Sequence, residues 1–264
     1  MRAEPDRDRL RLTSVAERLR SAGVGTPEAD ARWLVDLALS DDELEQLVRR
    51  REEREPLQLV IGSWPFRGVE LSMRPGVFIP RPETEVVAGL AIAAADGARL
   101  VVDLCTGSGA IAAAVADETK VPRIVATDRS PDAVDLARHN LRAWGERVDV
   151  RVGDLLDPVR DLQGHVDVLV ANPPYLPPET WEPEVADHDP VSALVGGPGG
   201  HELVDRVLAE GPALLRPGGT LVVEIDDRRG QEAAAHARAA GLRDVELVRD
   251  LAGRDRAVLG KRDG

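Results

Sequence analysis

The sequence predicts an α/β fold: a seven-stranded, mostly parallel sheet covered by helices, preceded by a small helical N-terminal domain and a linking β-hairpin. Three observations carry this. From Leu100 onward, short runs of Val, Ile and Leu alternate with Ala-rich stretches, the pattern of strands buried on both faces and joined by crossover helices. Residues 13–54 instead place apolar side chains at helical spacing. Between them, residues 57–79 form short apolar runs around Pro65 and Gly68, which read as a hairpin.

In the N-terminal segment, Val15, Leu19 and Ala22 lie on one helical face, with Thr13 or Ser14 as the expected cap. Gly23 and Gly25 break that helix, and Thr26-Pro27-Glu28 restarts one with a proline in its first turn. Trp33, Leu34, Leu37 and Ala38 form its apolar stripe. A third helix opens at Ser40-Asp41-Asp42-Glu43, carries Leu44, Leu47 and Val48, and ends in the charged run from Arg49 to Glu55. Leu57 to Gly62 and Val69 to Met73 are the expected hairpin strands. An Ala-rich helix follows Ile79-Pro80-Arg81-Pro82-Glu83-Thr84-Glu85 and runs to about Ala95.

The sheet strands are expected at 100–104, 123–128, 148–152, 166–171, 220–225, 245–248 and 257–259, the last two as an antiparallel pair. Helices are expected at 110–117, 131–143, 202–215 and 231–240. The domain boundaries follow: a helical domain over 1–56, a linker over 57–79 and a catalytic domain over 80–264.

Composition narrows the function. Aromatic residues make up 3% of the 264 residues, so the core is built from Val, Leu, Ala and Ile. A net charge of −13 argues against wrapping duplex nucleic acid, which takes a basic face. Cys105 is the only cysteine, so neither an intrachain disulfide nor a cysteine zinc cluster can form. His139, His165, His188, His201 and His236 show no metal-ligand spacing, and no metal is expected. The stretch from Met1 to Asp8 has no apolar signal region, and no apolar run approaches a membrane span. A cytoplasmic monomer is the expectation.

Two motifs carry chemistry. Asp103-Leu104-Cys105-Thr106-Gly107-Ser108-Gly109 joins the first strand to its helix. Glycines there let the backbone turn sharply and approach a ligand, beyond the carboxyl ends of the strands where open parallel sheets bind theirs. An ordinary tight turn is the bland alternative. Asp128 ends the next strand, where a carboxylate accepts ribose hydroxyls, and Asp154 follows the third, where an adenine amino group is expected. Ala112 stands where a dinucleotide fingerprint has its third glycine, a tolerated variant, and the Gly-Lys-Ser/Thr of a P-loop is missing. An acidic first-strand end, Asp103, repels phosphate but suits the cationic sulfonium and amino group of S-adenosylmethionine.

Asn172-Pro173-Pro174-Tyr175 lies at the end of the fourth strand. The Asn172 side-chain oxygen and the Pro173 carbonyl can each accept an N–H from a planar nitrogen acceptor, fixing its rotation and stabilising the positive charge that develops on it. The prolines stiffen this arrangement, and Tyr175, the only tyrosine, offers a face for stacking. Alone, the four residues do not separate a glutamine amide from an adenine amine, and a proline-rich turn after a strand is the bland alternative.

The chain resembles the HemK/PrmC-type protein-(glutamine-N5) methyltransferases, the release factor glutamine methyltransferases, over nearly its whole length. The resemblance rests on residues 78–85, Asp103 to Gly109, Ser130 to Val134, Asn172 to Tyr175, Asp189-Pro190 with Ala193-Leu194 ahead of Gly196-Gly197, and Arg216 to Gly219. Asn-Pro-Pro-Tyr is shared with DNA adenine methyltransferases; the 79–85 segment is more specific to the glutamine enzymes. The resemblance implies a Rossmann-like class I methyltransferase whose helical N-terminal domain helps hold a peptide-chain release factor, with the glutamine of its Gly-Gly-Gln loop as methyl acceptor in translation termination. It places Asp103 and Cys105 to Gly109 around the methionine part of S-adenosylmethionine, Asp128 at the ribose, Asp154 and Leu155 at the adenine, Asn172, Pro173, Pro174 and Tyr175 at the acceptor amide, and Arg81 and Glu83 in the pocket wall; Asn172 also borders the cofactor. S-adenosylhomocysteine is the implied product. Cys105 stands where the family usually has glycine, Leu155 where some members have an aromatic ring, and Glu224 to Gln231 stretches the family's tighter Glu-Ile-Gly…Gln pattern. Alternatives are an adenine N6-methyltransferase on DNA or RNA, a paralogue acting on another protein amide, and a non-catalytic cofactor-binding protein.

Overall fold

The structure, a computed structural model, describes residues 4–178 and 188–264. The first three residues of the stretch read for a signal region lie outside the described residues. Helices α1 (Glu4–Ser21), α2 (Pro27–Leu37) and α3 (Asp41–Glu52) form the N-terminal bundle. Leu19, Leu34 and Val48 are fully buried at its centre. Across the bundle, Arg51 Nε meets Asp30 Oδ2 at 2.8 Å with both side chains buried. Ser40 caps α3, accepting the Glu43 N–H at 3.1 Å. Thr13 does not cap α1, which starts well before it; its hydroxyl donates to the Arg9 carbonyl inside the helix. Thr26 donates to Asp30 at 2.8 Å instead of accepting a backbone N–H.

The first expected hairpin strand is a helix. Leu57–Ile61 forms α4 behind Pro56, because Leu57, Leu59 and Val60 turn onto apolar cores and Arg50 donates to the Leu59 and Val60 carbonyls at 3.0 and 3.1 Å. Gly62, at φ 81°, ends it. The hairpin starts later, as β1 (Ser63–Phe66) paired antiparallel with β2 (Val69–Ser72).

The larger sheet has the seven expected strands: β3 (Leu100–Leu104), β4 (Arg123–Asp128), β5 (Val148–Val152), β6 (Val166–Ala171), β7 (Leu215–Glu224), β8 (Leu242–Arg249) and β9 (Asp255–Arg262). Their order is β5-β4-β3-β6-β7-β9-β8, parallel from β5 to β7, with β9 antiparallel to both neighbours. Helices α5 (Thr84–Ala94), α6 (Ala110–Glu118), α7 (Pro131–Leu141), α8 (Val191–Leu194), α9 (Glu202–Glu210) and α10 (Gly230–Ala239) join them. Two cores result. Val101, Val168, Val170 and Val222 face α5 and α6, while Val102, Leu104, Leu169 and Val223 face α9 and α10. On α6, Ala112, Ala113 and Ala114 are fully buried, so the helix lies close on the sheet. From β3 the chain builds β4 and β5 to one side, then returns to β6 on the other. The carboxyl ends of β3 and β6 therefore flank a topological switch point, where such sheets open a crevice. Among the described residues no helix is long and apolar enough to cross a membrane.

Candidate active site

A cleft with ≈ 1220 Å³ of space, open mouth included, lies at that switch point. Its floor is the β3–α6 loop. Here the backbone is left-handed three times, at Cys105 (φ 57°), Gly107 (φ 57°) and Gly109 (φ 86°). The two glycines do different things. A Cβ on Gly107 would meet no protein atom within 4 Å, so it would project into open space on the cleft side. A Cβ on Gly109 would press on Leu141 of α7 at 3.1 Å. Gly109 is not part of the cleft wall; it lets α6 and α7 pack.

Asp103 is fully buried below the loop. Its Oδ2 accepts the Thr106 hydroxyl at 2.6 Å and the Ala112 N–H at 3.1 Å, while Oδ1 has no partner. Burial raises its pKa to about 7 against the pull of those two hydrogen bonds, with the Asp128 charge adding a little. It therefore holds the loop rather than facing the cleft. Asp128 does reach the cleft, with Oδ2 accepting the Gly107 N–H and Oδ1 the Ser130 N–H, both at 2.9 Å. Burial raises its pKa against these backbone bonds. Cys105, Thr106 and Ser108 also line the cleft. Burial, then the charges of Asp128, Asp103 and Asp154, push the Cys105 thiol up, so it stays a protonated, unreactive group.

Neither adenine candidate, Asp154 or Leu155, is part of the cleft wall as it stands. Asp154 is half exposed and accepts Arg206 Nη1 of α9 at 3.1 Å; Leu155 turns into the core. Arg206 follows that strand by more than 50 residues, so no local signal announces the pair.

The opposite wall is Asn172-Pro173-Pro174-Tyr175, all four lining the cleft. Asn172 Nδ2 donates to Thr84 Oγ1 at 3.4 Å, which leaves its carbonyl end for a ligand. Behind the prolines runs the 190–200 segment, with Leu176 N donating to Leu194 O at 2.9 Å and Gly196 N to Leu176 O at 3.2 Å. A Cβ on Gly196 would lie 2.3 Å from the Pro174 carbonyl, so only glycine permits that approach. Tyr175 is anchored at its far end, its hydroxyl donating to Glu224 Oε1 at 3.0 Å. Burial raises the Glu224 pKa to about 7, opposed by hydrogen bonds from Thr84 and Tyr175 and by the Arg256 charge.

Arg81 lines the cleft with its guanidinium over the Phe78 ring, 5.1 Å from the centroid, and ion-pairs with Asp189. Asp189 also accepts the Ile79 N–H at 3.2 Å. The 79–85 segment is thus pinned across the cleft mouth by a residue more than 100 positions away. Glu83 is not in the wall; it pairs with Arg254 at 2.9 Å. The sequence reading missed Thr84, Arg129, Ser130 and Leu194 as cleft residues; Thr84, Ser130 and Leu194 stood inside quoted motifs. Among the described residues, no group of three or more His, Cys, Asp or Glu could hold a metal.

The donor set fits S-adenosylmethionine. Gly107 leaves the room a Cβ would fill, and the Asp128 carboxylate keeps lone pairs for hydroxyl donors beside it.

Residues 73–188 match the family described as Methyltransferase small domain. A curated release factor glutamine methyltransferase of Streptomyces coelicolor is 44% identical, covering 83% of this chain and 85% of that protein. The protein of the same name from Mycolicibacterium smegmatis is 39% identical over 96% of this chain and 97% of its own length. A solved methyltransferase of Pyrococcus furiosus superposes with a TM-score of 0.55 at 16% identity, covering 75% of this chain and 91% of that one, a likeness of fold alone. Sheet order, cleft and whole-length relatives agree: the chain belongs to the release factor glutamine methyltransferase family.

Proposed function

We propose that this protein transfers a methyl group from S-adenosylmethionine to the side-chain amide nitrogen of a protein glutamine, the one in the Gly-Gly-Gln loop of a peptide-chain release factor. The observation that carries the reading is Asn172, whose amino end is tied to Thr84 while its carbonyl end is left to the cleft. S-adenosylmethionine supplies a methyl group made electrophilic by its sulfonium.

The chain's own residues do the rest. The 105–108 loop cradles the methionine part and Asp128 accepts from the ribose. Asn172 Oδ1 and the Pro173 carbonyl accept the two N–H bonds of the acceptor amide, which turns the nitrogen lone pair toward the methyl group and stabilises the positive charge forming there. Tyr175, held by Glu224, packs on the amide plane. Arg81 on Phe78 shapes the mouth through which the loop enters. The N-terminal bundle, residues 1–56, is the second holding surface for the factor, with the hairpin region over 57–79 joining it to the catalytic domain over 80–264. The protein acts as a cytoplasmic monomer.

The net charge of −13 counts against the adenine reading, because a nucleic-acid substrate takes a basic face. Incubation with labelled S-adenosylmethionine and a release factor, with and without its loop glutamine, tests the proposal. Label on the factor that has the glutamine alone is expected; equal label on both overturns it.

A further inference from the structure

We infer that Asn140 is a positioning residue for the cofactor, one that ties the 105–109 loop to the linker hairpin. The inference rests on the reading above that this loop cradles S-adenosylmethionine. Asn140 sits in the last turn of α7 and its side-chain amide makes three hydrogen bonds. Oδ1 accepts the Ser72 N–H at 2.9 Å, while Nδ2 donates to the Ser72 carbonyl at 3.1 Å and to the Ser108 carbonyl at 2.9 Å. Ser72 lies in β2, 68 positions away, and Ser108 lies in the loop, 32 positions away.

The three bonds fix the amide one way round. Turned over, it would set Nδ2 against an N–H and Oδ1 against two carbonyls, so every bond would be lost at once. The hairpin side explains why an amide stands here. In the two-stranded sheet β2 pairs with β1 and has an outer edge, whose N–H and C=O groups need partners. At Ser72 the Asn140 amide supplies both, as a further strand would. The loop side carries the consequence for the cofactor. Ser108 is 2% exposed and lines the cleft. Its carbonyl shares one peptide plane with the Gly109 N–H, which donates to the Thr106 carbonyl at 2.8 Å. Held at both ends, that plane cannot rotate and swing Ser108 in the cleft wall. Leu141, the next residue of α7, is the side chain on which a Cβ at Gly109 would press. One turn of α7 therefore seats the loop by packing and by hydrogen bonding. The hairpin is joined in turn to the N-terminal bundle. Trp64 of β1 packs on the cores of both, with its ring 5.3 Å from that of Trp33 in α2. Packed and hydrogen-bonded groups thus run without a break from the bundle to the cofactor loop, and coupling along them is open to measurement.

Asn140→Leu is close in shape and removes all three bonds. Asn140→Asp keeps the acceptor for the Ser72 N–H and removes the two bonds that Nδ2 donates; it carries the same measurements if Asn140→Leu does not fold. In the full chain without ligand, the 15N amide signal of Gly109 is expected to move in both variants. S-adenosylhomocysteine, a probe that needs no turnover, is expected to bind both about tenfold more weakly by calorimetry, the scale of one oriented hydrogen bond. In the wild-type chain its binding should slow hydrogen exchange at the Ser72 amide several-fold, and in Asn140→Leu that slowing should vanish, because a link between two sites acts in both directions. With the release factor as substrate, the loss should fall on KM for S-adenosylmethionine rather than on kcat, because the acceptor wall is untouched. An unchanged affinity for S-adenosylhomocysteine in the variants, even with a lower Tm, or a wild-type Ser72 amide that ignores the ligand, overturns the inference. If the wild-type chain binds no S-adenosylhomocysteine, the cofactor reading falls, and the Gly109 signal still decides whether Asn140 holds the loop.

Discussion

The two walls of the cleft are built in opposite ways. The 103–109 loop is a backbone device. Left-handed turns at Cys105, Gly107 and Gly109 shape it, and its holding bonds come from Asp103, Thr106, Ala112 and Asp128. None of these bonds spans more than 21 residues of chain. The Asn172–Tyr175 wall is a side-chain device. Thr84 orients Asn172 from 88 positions away and Glu224 anchors Tyr175 from 49 away. A cofactor common to many enzymes can be cradled by a local turn. An acceptor amide needs its lone pair aimed, and aiming takes rigid partners from several elements.

Asn172→Ala should have the largest effect. It removes a preorganised acceptor at the atom where charge develops, so kcat should fall about a hundredfold or more. Cofactor affinity, measured by calorimetry, should change little; a matching loss of affinity would show that the two walls are not separate devices.

Cys105 probes the backbone wall. Its left-handed φ of 57° is costly for a residue with a Cβ and costliest for a branched one. Cys105→Val should lose about 1–2 kcal/mol of stability, read as a lower Tm, while Cys105→Gly is tolerated. Equal melting of the two variants would break the claim that φ rules at this position.

Asp103 should make the same wall pH-sensitive. Its folded pKa of about 7 lies above the usual carboxylate value. The folded state therefore keeps a proton that the unfolded chain gives up. Stability from this group is fully present below about pH 4 and is lost as pH rises from there through about 7. Asp128 is the charged neighbour that adds to the rise. Asp103→Asn should flatten the Tm profile across that window, and an unchanged slope would remove Asp103 as its source.

The smallest effect belongs to Glu83→Gln. Glu83 meets Arg254 away from the cleft at a partly exposed pair, so stability should change by less than about 1 kcal/mol. The kcat should stay within about twofold of the wild-type protein, because no cleft contact is lost. A large loss would return Glu83 to the pocket wall.

The sequence by itself determined what short-range physics controls. Strand and helix alternation, the glycine turn after β3, the carboxylate ending β4 and the rigid Asn-Pro-Pro-Tyr after β6 follow from side-chain periodicity and backbone restriction, which act over a few residues. It also identified the residue types that suit a sulfonium cofactor and a planar nitrogen. The tertiary structure decided whom each polar group meets. Asp154 and Glu83 read as cleft carboxylates, yet Arg206 and Arg254 claim them. Gly109 reads as a ligand glycine and serves the contact with Leu141. Leu57–Ile61 reads as a strand and becomes a helix because apolar cores and Arg50 receive it. Thr84 stands inside the 79–85 motif, but its partner is named only when the fold brings Asn172 to it. A charge or a hydroxyl announces its chemistry in the sequence, but its partner is chosen by distance through space, and only the folded chain sets that distance.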